Sequence, residues 1–185
     1  MSFVEYPLLL IEAAIFGVAI IVLGNSTHFT WWALTAYTLC IIVHAVNKLH
    51  MIRRLLVMAT VSSATVSVSV LGMSLCGCSI FAEAAEAHGP LVYTVGNWAL
   101  HYWPALRLVM LLRLSATERT VHGDAARFFV LYCTSQLPGA IYECPSAIPK
   151  SIYPLAGIGF TLSFEWLIDK WLASENTPQH GPAAK

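Results

Sequence analysis

The sequence predicts an all-α fold, a polytopic membrane helix bundle with about six transmembrane helices. Of the 185 residues, 57% are hydrophobic and 11% are charged, and the mean hydropathy is +0.67. A soluble domain of this length needs far fewer apolar residues. Apolar stretches near the roughly 20 residues that cross a bilayer also recur along the chain. The formal net charge is zero, so we expect no nucleic acid partner.

Six apolar stretches are candidate spans. The first starts with Glu5 rather than basic residues and lacks a clear cleavage site, so we interpret it as a retained helix. The third is rich in Ser, Thr and Gly, and we interpret these small residues as helix-packing positions rather than a pore lining. The fifth contains Gln136, Pro138 and Gly139, which makes five spans the alternative. The predicted spans are 6–24, 30–47, 55–81, 91–114, 125–142 and 152–172.

The loops between these spans predict their orientation. Basic residues concentrate in the second and fourth loops, which the positive-inside rule places in the cytoplasm. The third loop instead holds Glu83 and Glu86 without Lys or Arg, and we predict it on the opposite side. Both termini are then cytoplasmic, and the type of membrane stays open. Residues 1–172 form the predicted transmembrane domain, and 173–185 a polar, disordered tail.

A polar pair stands out inside the fourth span. Asn97 and His101 are four residues apart, so in a helix both side chains lie on one face. Polar groups at such depth face the protein interior and have partners. One interpretation is a pair that joins neighbouring helices by hydrogen bonds. The other is a reactive site, which needs a nucleophile from another span.

Thr35, in the second span, is the candidate nucleophile. Its span enters the membrane from the same predicted side as the span of His101. At a rise of 1.5 Å per residue, the two residues differ in depth by about 8 Å, and helix tilt reduces that difference. A hydroxyl, an imidazole and an amide can act as nucleophile, general base and oxyanion donor in acyl transfer. We therefore list Thr35, His101 and Asn97 as catalytic candidates, although no carboxylate completes a triad at this level.

A second group of ionisable residues is predicted nearer the cytoplasmic side. Buried charges are tolerated when they are paired, so Arg107 is expected to face either Glu12 or Glu165. A proton or ion path is the functional alternative to a structural ion pair. This inner polar cluster comprises Glu12, His44, Arg107 and Glu165.

Two short motifs resemble the androgen-induced integral membrane protein family. Its members have Trp-x-x-x-Thr at the start of their second span and Asn-x-x-x-His in a later one. This sequence has Trp31-Trp-Ala-Leu-Thr35 and Asn97-Trp-Ala-Leu-His101. Members of the family are viewed as threonine hydrolases of fatty acid esters of hydroxy fatty acids. The resemblance implies Thr35 as nucleophile and His101 as its base, and it implies no firm role for Asn97.

Three functional interpretations follow. A lipid (fatty acid) ester hydrolase requires Thr35 and His101 to share a cavity. A small transporter or channel requires a polar path that continues to the inner cluster. A non-catalytic subunit of a membrane protein complex requires neither, and its polar groups are paired within the chain. The expected partners are membrane lipids, a lipid ester substrate and other membrane proteins. No Cys/His array has zinc spacing, so we predict neither metal nor cofactor.

Overall fold

The computed structural model describes residues 5–23, 28–46, 53–75, 79–114, 123–135 and 152–175, and every regular element in these ranges is helical. The all-α prediction is therefore confirmed. In chain order the elements are α1 (Glu5–Leu23), α2 (Phe29–Ala45), α3 (Arg53–Leu75), α4 (Ser79–His88), α5 (Pro90–Asn97), a π-helical turn (Trp98–Tyr102), α6 (Trp103–Leu114), α7 (Asp124–Ser135) and α8 (Ile152–Glu175).

Helices α1 and α2 pack against each other along one side. Leu9 and Phe16 of α1 are buried in this contact, and Tyr37 and Ile41 of α2 are completely buried. The rings of Phe16 and Tyr37 meet edge to face, with centroids 5.0 Å apart. This arrangement is the favoured geometry for two aromatic rings.

Helix α3 lies at the centre and contacts α2, α6, α7, α8 and the π-helical turn. Many of the side chains that α3 buries against its neighbours are small, and they include the hydroxyl residues Thr60 and Thr65. Each of these two hydroxyls donates to a carbonyl one turn back on the same helix. A threonine that is satisfied within its own helix lets neighbouring helices approach without an unpaired donor.

Helix α4 occupies the place where the sequence predicted a loop. Its residues 79–88 read SIFAEAAEAH, and Ala and Glu are strong helix formers. Gly89 then adopts a φ of +81°, which favours glycine, and Pro90 starts α5 at the first helical position, where its missing N–H costs nothing. The charged residues that suggested a loop therefore lie on a helix.

Helices α7 and α8 interlock beside α3. The aromatic ring of Phe129 lies directly over Gly157, where a side chain would leave no room for it. Phe129 also meets Phe29 of α2 edge to face, with ring centroids 4.8 Å apart. A buried core cluster forms here, separate from the cluster that contains Leu9, Phe16, Tyr37 and Ile41. Its members are Phe29, Ala33, Val66, Val70 and Phe129.

Among the described helices, one is long and apolar enough to cross a membrane, Arg54–Leu75. Pro7–Leu23 and Phe29–Ala45 are shorter apolar helices. Helix α8 runs to Glu175 and thus enters the predicted tail, while residues 136–142 of the fifth predicted span and 176–185 of the tail lie outside the described residues. The structure supplies one candidate membrane-spanning helix, and the six-span arrangement stays a prediction.

Candidate functional site

Thr35 lies on the exposed side of α2. Its Oγ1 donates a hydrogen bond of 2.8 Å to the Trp31 carbonyl oxygen, one turn back on the same helix. Thr38, on the buried side, makes the equivalent bond to Leu34. Both hydroxyls are thus occupied locally, but only that of Thr35 is open to the surroundings of the bundle.

His101 lies within the π-helical turn that separates α5 from α6. The turn is closed by the Trp103 N–H, which bonds to the Trp98 carbonyl five residues back. The His101 Nδ1 lies 3.1 Å from the main-chain oxygen of Asn97, and because a carbonyl only accepts, Nδ1 carries the proton of this bond. In the neutral ring Nε2 is then the acceptor, which is the state that a general base needs.

Ser67 of α3 contacts the same π-helical turn from the neighbouring helix. Its hydroxyl is directed at the main-chain carbonyl of His101 and also lies within bonding distance of its own helix's Ser63 carbonyl. A π-helical turn interrupts the regular bonding of a helix, and such turns occur frequently at functional sites. Ser67 therefore ties the position of His101 to the central helix.

In its described part the structure joins His101 to Asn97 by a hydrogen bond, but it does not join Thr35 to either of them. Thr35 bonds to Trp31, His101 bonds to Asn97, and no hydrogen bond links Thr35 to His101 there. Asn97 contributes its main-chain carbonyl to His101, while its half-buried side chain makes no hydrogen bond to the described residues. The His101 ring thus has Nε2 as its acceptor nitrogen, whereas the Thr35 hydroxyl is directed at a carbonyl of its own helix.

A carboxylate lies at the contact of three helices, α1, α2 and α6. Glu12 of α1 accepts, through Oε1, a hydrogen bond from the Tyr37 hydroxyl of α2 and one of 2.7 Å from Nε1 of Trp103 on α6. Arg107, one turn after Trp103, faces the other oxygen, with Nε 3.4 Å from Oε2. We call Glu12, Tyr37, Trp103 and Arg107 the Glu12 centre.

The ion pair in the Glu12 centre is not closed by a hydrogen bond. Nε of Arg107 is buried, and although its distance to Oε2 is that of an ion pair, its N–H does not point at an acceptor in the described part of the chain. The side chains of Arg107 and Glu12 remain 28% and 14% exposed. Coulomb attraction therefore holds the guanidinium beside the carboxylate, although its N–H groups form no hydrogen bond to the described residues.

Glu165 lies in a different group from Arg107. Its Oε1 accepts a hydrogen bond of 2.8 Å from the Ala125 N–H in the first turn of α7, where a negative charge is favourable. The preceding residue, Asp124, binds Arg54 of α3 through two hydrogen bonds of 2.6 and 2.7 Å. Of the two partners that the sequence left open for Arg107, the structure places Glu12 beside it. His44 is half-buried in the last turn of α2.

Three residues of these sites were missing from the sequence-based candidates. Trp103 lies four residues before Arg107, a spacing that places both on one helix face and was a usable signal. Tyr37, whose phenol hydroxyl lies in the middle of the second span, was a second one. Ser67 had no such signal, because its partner is a main-chain carbonyl that only the π-helical turn directs toward α3.

Comparisons of the chain with protein-family models, with curated proteins and with solved structures found no match. The resemblance to the androgen-induced integral membrane protein family therefore stays a prediction.

Proposed function

We propose that the chain is a multi-pass membrane protein with six spans and both termini in the cytoplasm. The side chains that α1 exposes are almost all apolar, including Ile15 at 61% and Ile21 at 84% exposure. In water such a surface is rare outside binding sites, whereas a bilayer is its natural solvent. The polar side chain of Glu12 on the same helix faces inward, as expected for a helix surrounded by lipid.

Within the membrane we propose a non-catalytic role, as a subunit that packs against a transmembrane helix of another protein. The observation that supports this role is an open glycine in α8. A side chain at Gly159 would meet no atom within 4 Å, so nothing in the described structure requires a glycine there. Glycine inside a helix costs about 1 kcal/mol relative to alanine. A close approach by a helix from outside the chain would explain it.

The surroundings of Gly159 fit a helix partner. Ser163 lies one turn later on the same exposed face, which completes a small-x-x-x-small pattern of the kind that lets two membrane helices approach closely. An open groove follows along α8, lined by Leu162, Ser163, Trp166 and Leu167. Gly157, only two residues earlier, is by contrast filled by a ring of the chain itself. Within α8, the small residues that the chain itself leaves uncovered thus lie on the outward face.

Photo-crosslinking in native membranes tests this role. Phe160 is exposed beside Gly159, so replacing it with a benzoyl-phenylalanine places the reactive group at the edge of the proposed contact. We expect an adduct heavier than the 20.3 kDa chain, lost when Gly159→Leu blocks the approach. Gly72→Leu, at an open glycine of α3, is the matched control and should keep the adduct. Lipid adducts alone, equal to those formed from position 15 of α1, would contradict the proposal.

A lipid ester hydrolase is the second candidate, and the geometry of His101 favours it. The bond from Nδ1 to Asn97 presents Nε2 as a base, and the exposed Thr35 hydroxyl is accessible to a lipid from the bilayer. In this mechanism Thr35 attacks the ester carbonyl, His101 takes its proton, and Asn97 orients His101 or donates to the oxyanion. The C–O bond to the alcohol then breaks, the alcohol leaves with the proton from His101, and water hydrolyses the acyl-threonine and restores the Thr35 hydroxyl. Rotation of the Thr35 side chain away from Trp31 has to precede the attack.

The hydrolase candidate is tested with purified protein on fatty acid esters of hydroxy fatty acids and on short nitrophenyl esters. Thr35→Ala and His101→Ala should each abolish turnover without loss of fold. Thr38→Ala removes a hydroxyl from the same helix that is buried and bonded in the same way, and it should leave turnover unchanged. Full activity of the Thr35 or His101 variant, or an inactive parent protein, would exclude this mechanism.

A further inference from the structure

We propose that the Glu12 centre binds the carboxyl group of a long-chain fatty acid, taken up from the bilayer in its neutral, protonated form. The inference depends on the proposed membrane location, but not on a partner helix at α8 and not on ester hydrolysis. It is based on the hydrogen bonds within the centre, which involve one carboxylate oxygen of Glu12 but neither the other oxygen nor Arg107.

One oxygen of the Glu12 carboxylate accepts two hydrogen bonds, whereas the other accepts none from the described residues. Oε1 accepts from both Tyr37 and Trp103, whereas Oε2 has only the unaligned guanidinium of Arg107 nearby. A buried donor without an acceptor, such as the Nε of Arg107, is uncommon and calls for a specific explanation. The centre therefore presents an acceptor, Oε2, beside guanidinium donors that the described residues leave without a hydrogen bond.

A protonated carboxyl group matches this pair of functions. Its O–H can donate to Oε2 of Glu12, and its carbonyl oxygen can accept from the guanidinium of Arg107. An ionised carboxylate or a lipid phosphodiester lacks the donor and meets the negative charge of Glu12, so it fits less well. An ester has a carbonyl but no O–H, and it can satisfy only Arg107. The complementary headgroup is thus the neutral acid.

The surface next to the centre suits an acyl chain. Leu8 and Ile15 lie four residues before and three residues after Glu12, so they flank it on the same side of α1. Both are more than half exposed, as is Ile11. An acyl chain lying along these residues remains in contact with lipid while its headgroup reaches the partly exposed side chain of Arg107.

Binding is measured with palmitic acid labelled with ¹³C at the carboxyl carbon, added to the full chain in lipid nanodiscs at one neutral pH. The chemical shift of this carbon separates the acid from the carboxylate. We expect the bound signal of the natural protein at the position of the acid. Arg107→Gln should weaken binding by about tenfold or more, because it removes a charged donor. Methyl palmitate, which has no O–H, should compete poorly.

Glu12→Gln gives the sharper test. The amide keeps an oxygen for Tyr37 and Trp103, but it replaces the acceptor at Oε2 with an N–H donor. The bound signal should therefore move to the carboxylate position, because an ionised headgroup now finds two donors. Thr134→Ala, on the exposed side of α7, is the control and should bind the acid as the natural protein does.

Three results would overturn the proposal. These are the absence of a bound signal in the natural protein, a bound carboxylate there, or unchanged binding in a folded Arg107→Gln variant. If Arg107→Gln does not fold, the Glu12→Gln result decides, since an unchanged acid signal in that variant also contradicts the proposal. A negative crosslinking result at position 160 leaves this measurement unaffected, so the two proposals fail independently.

Discussion

Replacing Gly157 by alanine should destabilise the contact between α7 and α8. An added Cβ would lie 2.1 Å from Cζ and 2.4 Å from Cε1 of Phe129, far closer than carbon atoms approach. The Phe129 ring cannot simply move aside, because it also packs against Phe29 and, at 5.9 Å between ring centroids, against Tyr132. The helices must therefore separate or the aromatic cluster must rearrange.

The expected loss follows from two opposing effects. Overfilling a packed core costs roughly 1–3 kcal/mol, and a contact this short belongs near the upper end. Alanine is the better helix former, which returns up to about 1 kcal/mol. We expect a net loss of about 2 kcal/mol, or about 4–8 °C in the unfolding midpoint of a chain of this size.

The assay is thermal unfolding in detergent, followed by the reaction of a thiol-sensitive dye with the buried Cys40. Gly159→Ala is the matched control, because its new methyl group meets no atom within 4 Å and should not lower the midpoint. Phe129→Leu should partly restore the Gly157→Ala variant, since the two changes act on one contact. Equal midpoints for the two alanine variants would refute the reasoning.

Two further predictions concern single polar contacts. Glu165→Ala leaves the Ala125 N–H without its acceptor and should cost about 1–3 kcal/mol in the same unfolding assay, whereas Glu83→Ala, at an exposed site, should be neutral; equal midpoints would contradict the capping role. Ser67→Ala removes the donor to the His101 carbonyl and should speed hydrogen exchange in the π-helical turn; unchanged protection there would show that Ser67 does not stabilise it.

The sequence was most informative where an element depends on hydropathy alone. The first two predicted spans, 6–24 and 30–47, agree with α1 and α2 within one or two residues at each end. Hydropathy was less informative at α4, where Glu83 and Glu86 suggested a loop although the surrounding alanines favour a helix. The local preference for a helix determined the structure there, and the charge pattern was not the decisive signal.

The sites depended on geometry that hydropathy does not contain. In two regular helices, the depths of Thr35 and His101 allow the two side chains to meet, but depth does not define the direction in which each side chain points. The structure places a π-helical turn at His101 and turns the Thr35 hydroxyl toward its own helix. Direction around a helix axis, rather than depth along it, is what the sequence left undetermined.

Glu12 determines how α1 is rotated about its own axis. Apolar residues occur on every side of this helix, so the hydrophobic effect does not favour one face over another when lipid surrounds it. A single carboxylate changes this, because only one rotation of α1 brings it to the donors of Tyr37, Trp103 and Arg107. The Glu12 centre therefore fixes the rotation of α1 and, through it, which apolar residues stay exposed on the surface of the bundle.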